Sequence, residues 1–464
     1  MSNDIQPVDS MRSAARLSNK AVRLVHGLSD RHVLFIALGG TIGAGFFLGS
    51  SLTIKRSGPG MLLAYALSGA IAFLMARALG EMTVNQPAAG SFGTYAETYL
   101  GRWAGFLTGW AYWLIWVLVG AAEITAVGVL TRYWIPEVPQ WVPALAALMA
   151  LYGMNLLHVR VFGELEFWLS IVKVATIIML IAVGGWMIVF HIGPAGAKPM
   201  LSNLWSHGGF LPSGFYGLVS AVPLALFAFG GTELIGLTAA EAKNPTTSVP
   251  RAINGVVFRV LLFYVGALAV IVALVPWDEL GGGQSPFVLA VARTGLPAAA
   301  SVVNLVALSA VLSSCNSGIF ASGRMLRALA EQGHAPAWAA HLSDRGRPLK
   351  AVTASAALLL VGVLLNYLVP QQALEYVMQS VTTLVLWVWC VIVICHLRYR
   401  KSLPVATVKF PMPGYPVSNW IAIAFFCAVA IVLLLDPTSR VAVIIAMLWL
   451  GALAAVYAIT RRKQ

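Results

Sequence analysis

From Val33 to Thr460 the chain alternates long apolar runs with short polar loops. The runs fall at 33–54, 59–83, 104–131, 141–157, 165–190, 214–239, 252–276, 297–323, 351–369, 375–397, 419–435 and 440–460. A helix needs about 20 mostly apolar residues to cross a bilayer. The pattern therefore predicts an all-α integral membrane protein of about twelve transmembrane helices. Residues 1–31 are polar and lack the apolar core of a signal peptide. They are predicted to form a cytoplasmic tail, with a short interfacial helix from Val22 to Leu34. Gly- and Pro-rich stretches at His191–Pro212 and Trp277–Pro286 read as outer loops, and Arg324–Lys350 as the longest basic inner loop.

An even number of spans puts both termini on one side. Twenty-one Lys and Arg residues fall in loops and tails on that side and six on the other. Basic residues are retained on the cytoplasmic side, so both termini are expected there, in a cytoplasmic (inner) membrane of bacterial type. Composition agrees: 59% of residues are hydrophobic and 10% charged, against about 25% charged in soluble domains. The net charge of +13 sits in alternate loops, which argues against nucleic-acid binding. Cys315, Cys390, Cys395 and Cys427 lie in apolar runs without metal-ligand spacing, and no metal or cofactor is expected.

Two spans carry interruptions. The first reads Leu38-Gly39-Gly40-Thr41-Ile42-Gly43-Ala44-Gly45-Phe46-Phe47-Leu48-Gly49. Glycine inside a helix costs roughly 1 kcal/mol against alanine, so the cluster favours unwinding. Unwound backbone at membrane depth survives only where it lines a cavity or is buried in protein. N–H groups freed at the outer half-helix suit a carboxylate, and C=O groups freed at the inner half suit an ammonium. The sixth span reads Leu226-Phe227-Ala228-Phe229-Gly230-Gly231-Thr232-Glu233, again with a glycine pair at mid-span. Breaks five helices apart point to a five-plus-five inverted repeat with its site between the halves. That repeat occupies 32–398, and 399–464 holds two further helices and the C-terminus. An amino acid is a zwitterion, and two opposed breaks offer donors for its carboxylate and acceptors for its amine.

Ionisable residues in mid-span are functional candidates by default. Glu123, Glu233 and Lys173 lie deepest, whereas Arg77 and Arg259 lie nearer span ends, where they can snorkel. Lys173 is the candidate for proton coupling, its amine bonding a free carbonyl of the first break. Glu123 pairs with Lys173, titrates with it, or faces the substrate amine, and the sequence leaves these open. Glu233 locks the second break or forms part of a gate. Gly120 and Gly231 are small positions that leave room for a substrate ring.

These motifs resemble the amino-acid transporter family within the amino acid–polyamine–organocation superfamily. The resemblance runs from about residue 22 to 460. Besides the first break it rests on Ser57-Gly58-Pro59, Arg77-Ala78-Leu79-Gly80-Glu81-Met82, Gly109-Trp110-Ala111-Tyr112-Trp113, Phe162-Gly163-Glu164, Glu241-Ala242-Lys243-Asn244-Pro245 and Pro250-Arg251-Ala252-Ile253. Among members, the chain looks most like the proline and histidine permeases. The resemblance implies a leucine-transporter-type fold and proton-driven uptake of an amino acid, most directly proline or histidine. It further implies that Ile42, Gly43, Ala44 and Gly45 bind the substrate carboxylate. Thr41 and Phe227 would offer carbonyls to the amine, Phe227 and Phe229 act as aromatic gates, and Gly230 and Gly231 belong to the same site. Lys173 matches a fifth-helix lysine linked to protonation.

A channel would place rings of like polar groups along a pore, whereas here the unusual residues gather at two breaks. An enzyme would need a His, Asp or nucleophile cluster within the spans, and none is apparent, so no catalytic residue is expected. The nearest alternatives are an amino-acid exchanger and a polyamine carrier of the same fold. The expected partners are an amino acid, protons and membrane lipid, with the oligomeric state left open.

Overall fold

The computed structural model describes residues 42–86, 91–156, 159–192, 200–239, 245–281, 283–293, 295, 297–343, 347–402 and 408–461. The tail 1–31 and the interfacial helix expected at 22–34 lie outside them. With the Lys- and Arg-rich side taken as the inner one, every regular element of the described chain is helical. Its elements are α1 (Ala44–Phe47), α2 (Gly49–Ser57), α3 (Met61–Asn85), α4 (Phe92–Leu100), α5 (Arg102–Thr131), α6 (Trp141–Asn155), α7 (Val159–Phe190), α8 (Gly214–Phe227), α9 (Leu234–Ala239), α10 (Pro245–Arg259), α11 (Ala267–Leu274), α12 (Pro286–Arg293), α13 (Pro297–Glu331), α14 (Leu349–Leu368), α15 (Ala373–Lys401), α16 (Val417–Leu435) and α17 (Pro437–Arg461). A π-helical turn, Val260–Gly266, joins α10 to α11.

Among the described residues, nine helices are long and apolar enough to cross a membrane, and α6 and α8 are shorter apolar helices. The first of the nine runs from Ala44 to Asn85 through the turn Gly58–Gly60 and covers two passes. Each of the twelve apolar runs therefore has a helical counterpart, in the same order. Gly58 has φ +55°, a conformation that favours glycine, and reverses the chain under Pro212 and Trp277.

Some elements differ from the sequence expectation. Helix α4 was not anticipated. Its nine residues lie between a turn at Ser91 and Gly101, whose φ is +104°, too short for a span. The Trp277–Pro286 stretch ends in another short helix, α12. The basic inner loop expected from Arg324 starts later, because α13 runs on to Glu331 and keeps Arg327 paired with Glu331 one turn away.

Helix α5 is the central post, packed against α4, α6, α13, α14, α15 and α17. Small residues allow this closeness: Gly362 of α14 lies against Ala121, and Gly323 of α13 against Val352. Gly120 was expected to leave room for a substrate ring. It is covered instead by Leu359 of α14, which lies 2.7 Å from where a Cβ would stand. The outer surface of α7 and α17 exposes Trp168, Met179, Trp186, Ile445 and Leu448, whereas Glu81, Glu123, Lys173 and Glu233 are buried. Apolar outside and charge inside is the arrangement a bilayer solvent favours.

Candidate functional site

The first break begins at Gly43, in extended backbone, and α1 lasts four residues before the chain kinks at Leu48. The first N–H groups of any helix have no partner within it. Here the Ala44 N–H donates to Oε2 of Glu123 at 2.9 Å. Glu123 reaches in from α5 and is 3% exposed. Its other oxygen, Oε1, accepts from Ser314 Oγ of α13 at 2.8 Å. The carboxylate lies so close to Gly43 that a Cβ built there would fall inside it. Any side chain at 43 would have to displace the Glu123 carboxylate.

Lys173 of α7 is fully buried, and its Nζ donates to Ser313 Oγ at 2.8 Å. Ser313 and Ser314 are consecutive on α13, so one helical step brings the lysine and the glutamate into a single network. The sequence reading missed both serines. Their only signal was the small polar run Ser313-Ser314-Cys315-Asn316-Ser317 within α13. The structure sets Glu123 on the N–H side of the break, where the resemblance places a substrate carboxylate. Thr41, expected to offer a carbonyl to the amine, lies outside the described residues. Ile42, Ala44 and Gly45 are buried, and Gly45 lies flat against the Phe227 ring, whose Cδ1 is 2.7 Å from a Cβ built on it.

The second break runs through turns from Ala228 to Glu233 and is closed on itself. The Phe227 carbonyl accepts from Gly230 N–H at 3.0 Å, and the Phe229 carbonyl from Thr232 N–H at 3.2 Å and Thr232 Oγ1 at 2.7 Å. Gly231 has φ +92°, a left-handed conformation that disfavours a side chain. Its N–H donates to both oxygens of Glu233, at 3.0 and 3.1 Å. Trp389 of α15 donates its Nε1–H to Glu233 Oε2 at 3.0 Å. Glu233 thus ties the unwound segment to α15, a tie invisible in the sequence because 156 positions separate the two. Phe229 packs under Tyr264, ring centroids 4.7 Å apart.

Two polar clusters flank the breaks. On the inner side, Glu81 of α3 is fully buried, with His396 Nε2 at 3.1 Å, Arg400 Nε at 2.9 Å and the Met412 N–H at 2.6 Å. His396 stands alone in the sequence, and only packing of α15 on α3 gives it a carboxylate. Arg77, expected to snorkel, donates to the Pro411 carbonyl and stacks on Phe410, 3.6 Å from the ring centroid. The Arg259 side chain lies outside the described residues. On the outer side, Arg56 of α2 bonds Glu375 of α15 at 2.6 Å and Asp436, between α16 and α17, at 3.0 Å. Burial pushes the Asp436 carboxyl up. The Ser439 and Thr438 hydroxyls and the Arg56 guanidinium outweigh this and hold it below its usual value.

The arrangement offers two interrupted helices, one with an N–H held by a carboxylate from another helix, and a buried lysine beside it. It suits binding and release of a small zwitterion in step with a proton. Comparison with known proteins agrees with amino-acid transport. The profile described as amino acid permease matches residues 32–464. An uncharacterized amino acid permease of Bacillus subtilis, YtnA, is 48% identical over 94% of this chain and 94% of its own length. The aromatic amino acid transport protein AroP of Escherichia coli K12 is 44% identical over 94% of this chain and 95% of its own. The B. subtilis amino-acid permease AapA is 41% identical over 95% and 96%.

Proposed function

This chain belongs to the amino acid permease family, and from that premise we propose that it is a proton-coupled symporter importing amino acids with aromatic side chains across a bacterial cytoplasmic membrane. The observation that carries the coupling is the bond from Ala44 N–H to Glu123. A substrate carboxylate docking at the outer half-helix needs that donor, and the ionised Glu123 holds it. Two carboxylates sharing one site do not both stay ionised. A proton on Glu123 removes the competing charge and releases the Ala44 N–H, so substrate binds together with a proton. By linkage, the substrate raises proton affinity by the same factor. Lys173, one serine away, adds a positive group to the network whose field changes as that proton comes and goes.

Ile42, Gly43, Ala44 and Gly45 form the carboxylate side of the site in this reading, with Thr41 and the Phe227 carbonyl on the amine side. The Phe227 ring lies over Gly45. Phe227 and Phe229 act as its aromatic gates, Gly230 and Gly231 shape the second break, and Glu233 holds that break shut. Aromatic substrates are favoured over proline and histidine by the relatives named for aromatic transport and by the rings of Phe46, Phe227 and Phe229 at the two breaks. Both termini are cytoplasmic in this reading, on the Lys and Arg asymmetry.

Uptake into proteoliposomes tests the proposal. Labelled phenylalanine, tyrosine, tryptophan, histidine and proline are offered separately, with and without an inward proton gradient. Gradient-dependent accumulation of the three aromatic labels is expected. Accumulation of proline or histidine alone would replace the aromatic assignment. Uptake that needs internal amino acid and ignores the gradient would make the protein an exchanger.

A further inference from the structure

We propose that Tyr264 is a positioning residue that couples the outer helix α12 to the second break. The proposal rests on the reading that substrate binds at the breaks. Tyr264 lies in the π-helical turn Val260–Gly266. Such turns add a residue to the helix and recur at functional sites. One added residue rotates the downstream helix by about 100° around its axis, so the turn decides which face carries the ring.

That face meets the break. In a continuous helix the Ala228 carbonyl accepts from Thr232 N–H. Here that N–H goes to the Phe229 carbonyl, which leaves the Ala228 carbonyl without its helical donor. The Tyr264 hydroxyl supplies one, at 2.8 Å. A buried carbonyl without a partner is costly, so the hydroxyl helps fix where the break stands.

The Tyr264 ring is fully buried and continues an aromatic chain towards the outer side. It lies 4.7 Å from Phe229, 5.5 Å from Tyr65 and 5.1 Å from Phe46, centroid to centroid. Phe46 in turn lies 4.6 Å from Phe287 of α12, and Phe47 lies 5.1 Å from it. Helix α12 thus presses one ring onto the first break, and Tyr264 stands between that contact and the second. Packed rings resist continuous deformation, so a displacement of α12 reaches Ala228 through Phe46 and Tyr264. Seating of α12 over the site and the geometry of the second break become one event.

Tyr264→Phe keeps every ring and removes one hydroxyl. Its substrate KM is expected to rise about tenfold, the size of one hydrogen bond, with maximal rate nearly unchanged. A packing role predicts lower stability with KM intact, and that result would overturn the proposal. A second measurement is independent of substrate. Amide hydrogen exchange across 228–233, in lipid nanodiscs, is expected to quicken in Tyr264→Phe and also in Phe287→Leu, and no further in the double variant. Unchanged exchange at the break in Phe287→Leu, or additive effects in the double variant, sinks the coupling. Wild-type protein that takes up no labelled amino acid but shows these exchange effects would sink the transport reading and leave the coupling standing.

Discussion

The two breaks solve the same problem with carboxylates of different origin. At the first, the Ala44 N–H is satisfied by Glu123, which comes from another helix and shares its second oxygen with a serine of a third. At the second, the Gly231 N–H is satisfied by Glu233, two residues further along the same chain. A cap from the same segment travels with the backbone it caps. A cap from another helix is lost when the helices separate and is open to replacement by another carboxylate. In the proposed mechanism the first break exchanges its cap and the second holds its shape. Both sit where freed backbone groups need partners because no water is available in the membrane core.

The largest effect expected to break this contrast comes from Gly43→Ala. The added methyl meets the Glu123 carboxylate, and overpacking of about 1–3 kcal/mol should lower uptake at least about tenfold. Adding Glu123→Ala removes the collision, so thermal stability should recover while gradient-driven uptake does not.

The contrast is sharpest in paired amide substitutions. Glu123→Gln should flatten the dependence of uptake on external pH, since the group cannot ionise. Glu233→Gln should keep the wild-type pH profile and lose about 1–3 kcal/mol of stability, through weaker acceptance from Gly231 and Trp389. Equal flattening in both variants would erase the distinction between the breaks.

Smaller effects are expected from the supports. Gly231→Ala forces a side chain into a left-handed conformation and should cost about 1–2 kcal/mol in thermal or denaturant unfolding. Ser314→Ala removes one bond to Glu123, worth about 1 kcal/mol, and should slow uptake a few-fold, whereas Ser439→Ala at the outer cluster should not.

The smallest effect is expected at Asp436, which anchors Arg56 at the outer end of α2. Its folded pKa lies below the usual carboxylate value. Its contribution is therefore present above that usual value and lost only as pH falls through the lower, folded one, below about 4. Asp436→Asn should reduce stability by a constant amount between pH 5 and 8. The two proteins should converge only in stronger acid, as read by thermal unfolding across pH.

Much of the fold and of the candidate site was legible in the residues alone. Apolar runs of bilayer length have few folds open to them, because each must satisfy its backbone internally. The twelve passes and the two interruptions result from that one constraint. Gly43, Gly45, Gly230 and Gly231 marked the breaks, since glycine in mid-helix is unfavourable unless the backbone departs from it. Glu123, Lys173 and Glu233 stood out because charge in an apolar run needs a reason. The short helices α4 and α12 were hidden, since both are too short to cross a bilayer and fall between the long apolar runs.

What only the tertiary structure decided is which groups meet. Glu123 was open to three roles in the sequence, and the packing of α5 against α1 and α13 put it on Ala44 and Ser314. Gly120 looked like space for a ring, and α14 filled it with Leu359. Tyr264 carried no sign of its role, because a π-helical turn rotates a residue without changing composition. Hydropathy is a property of each segment and can be read along the chain. A hydrogen bond between segments depends on rotation and depth of both helices, and those are fixed by packing alone.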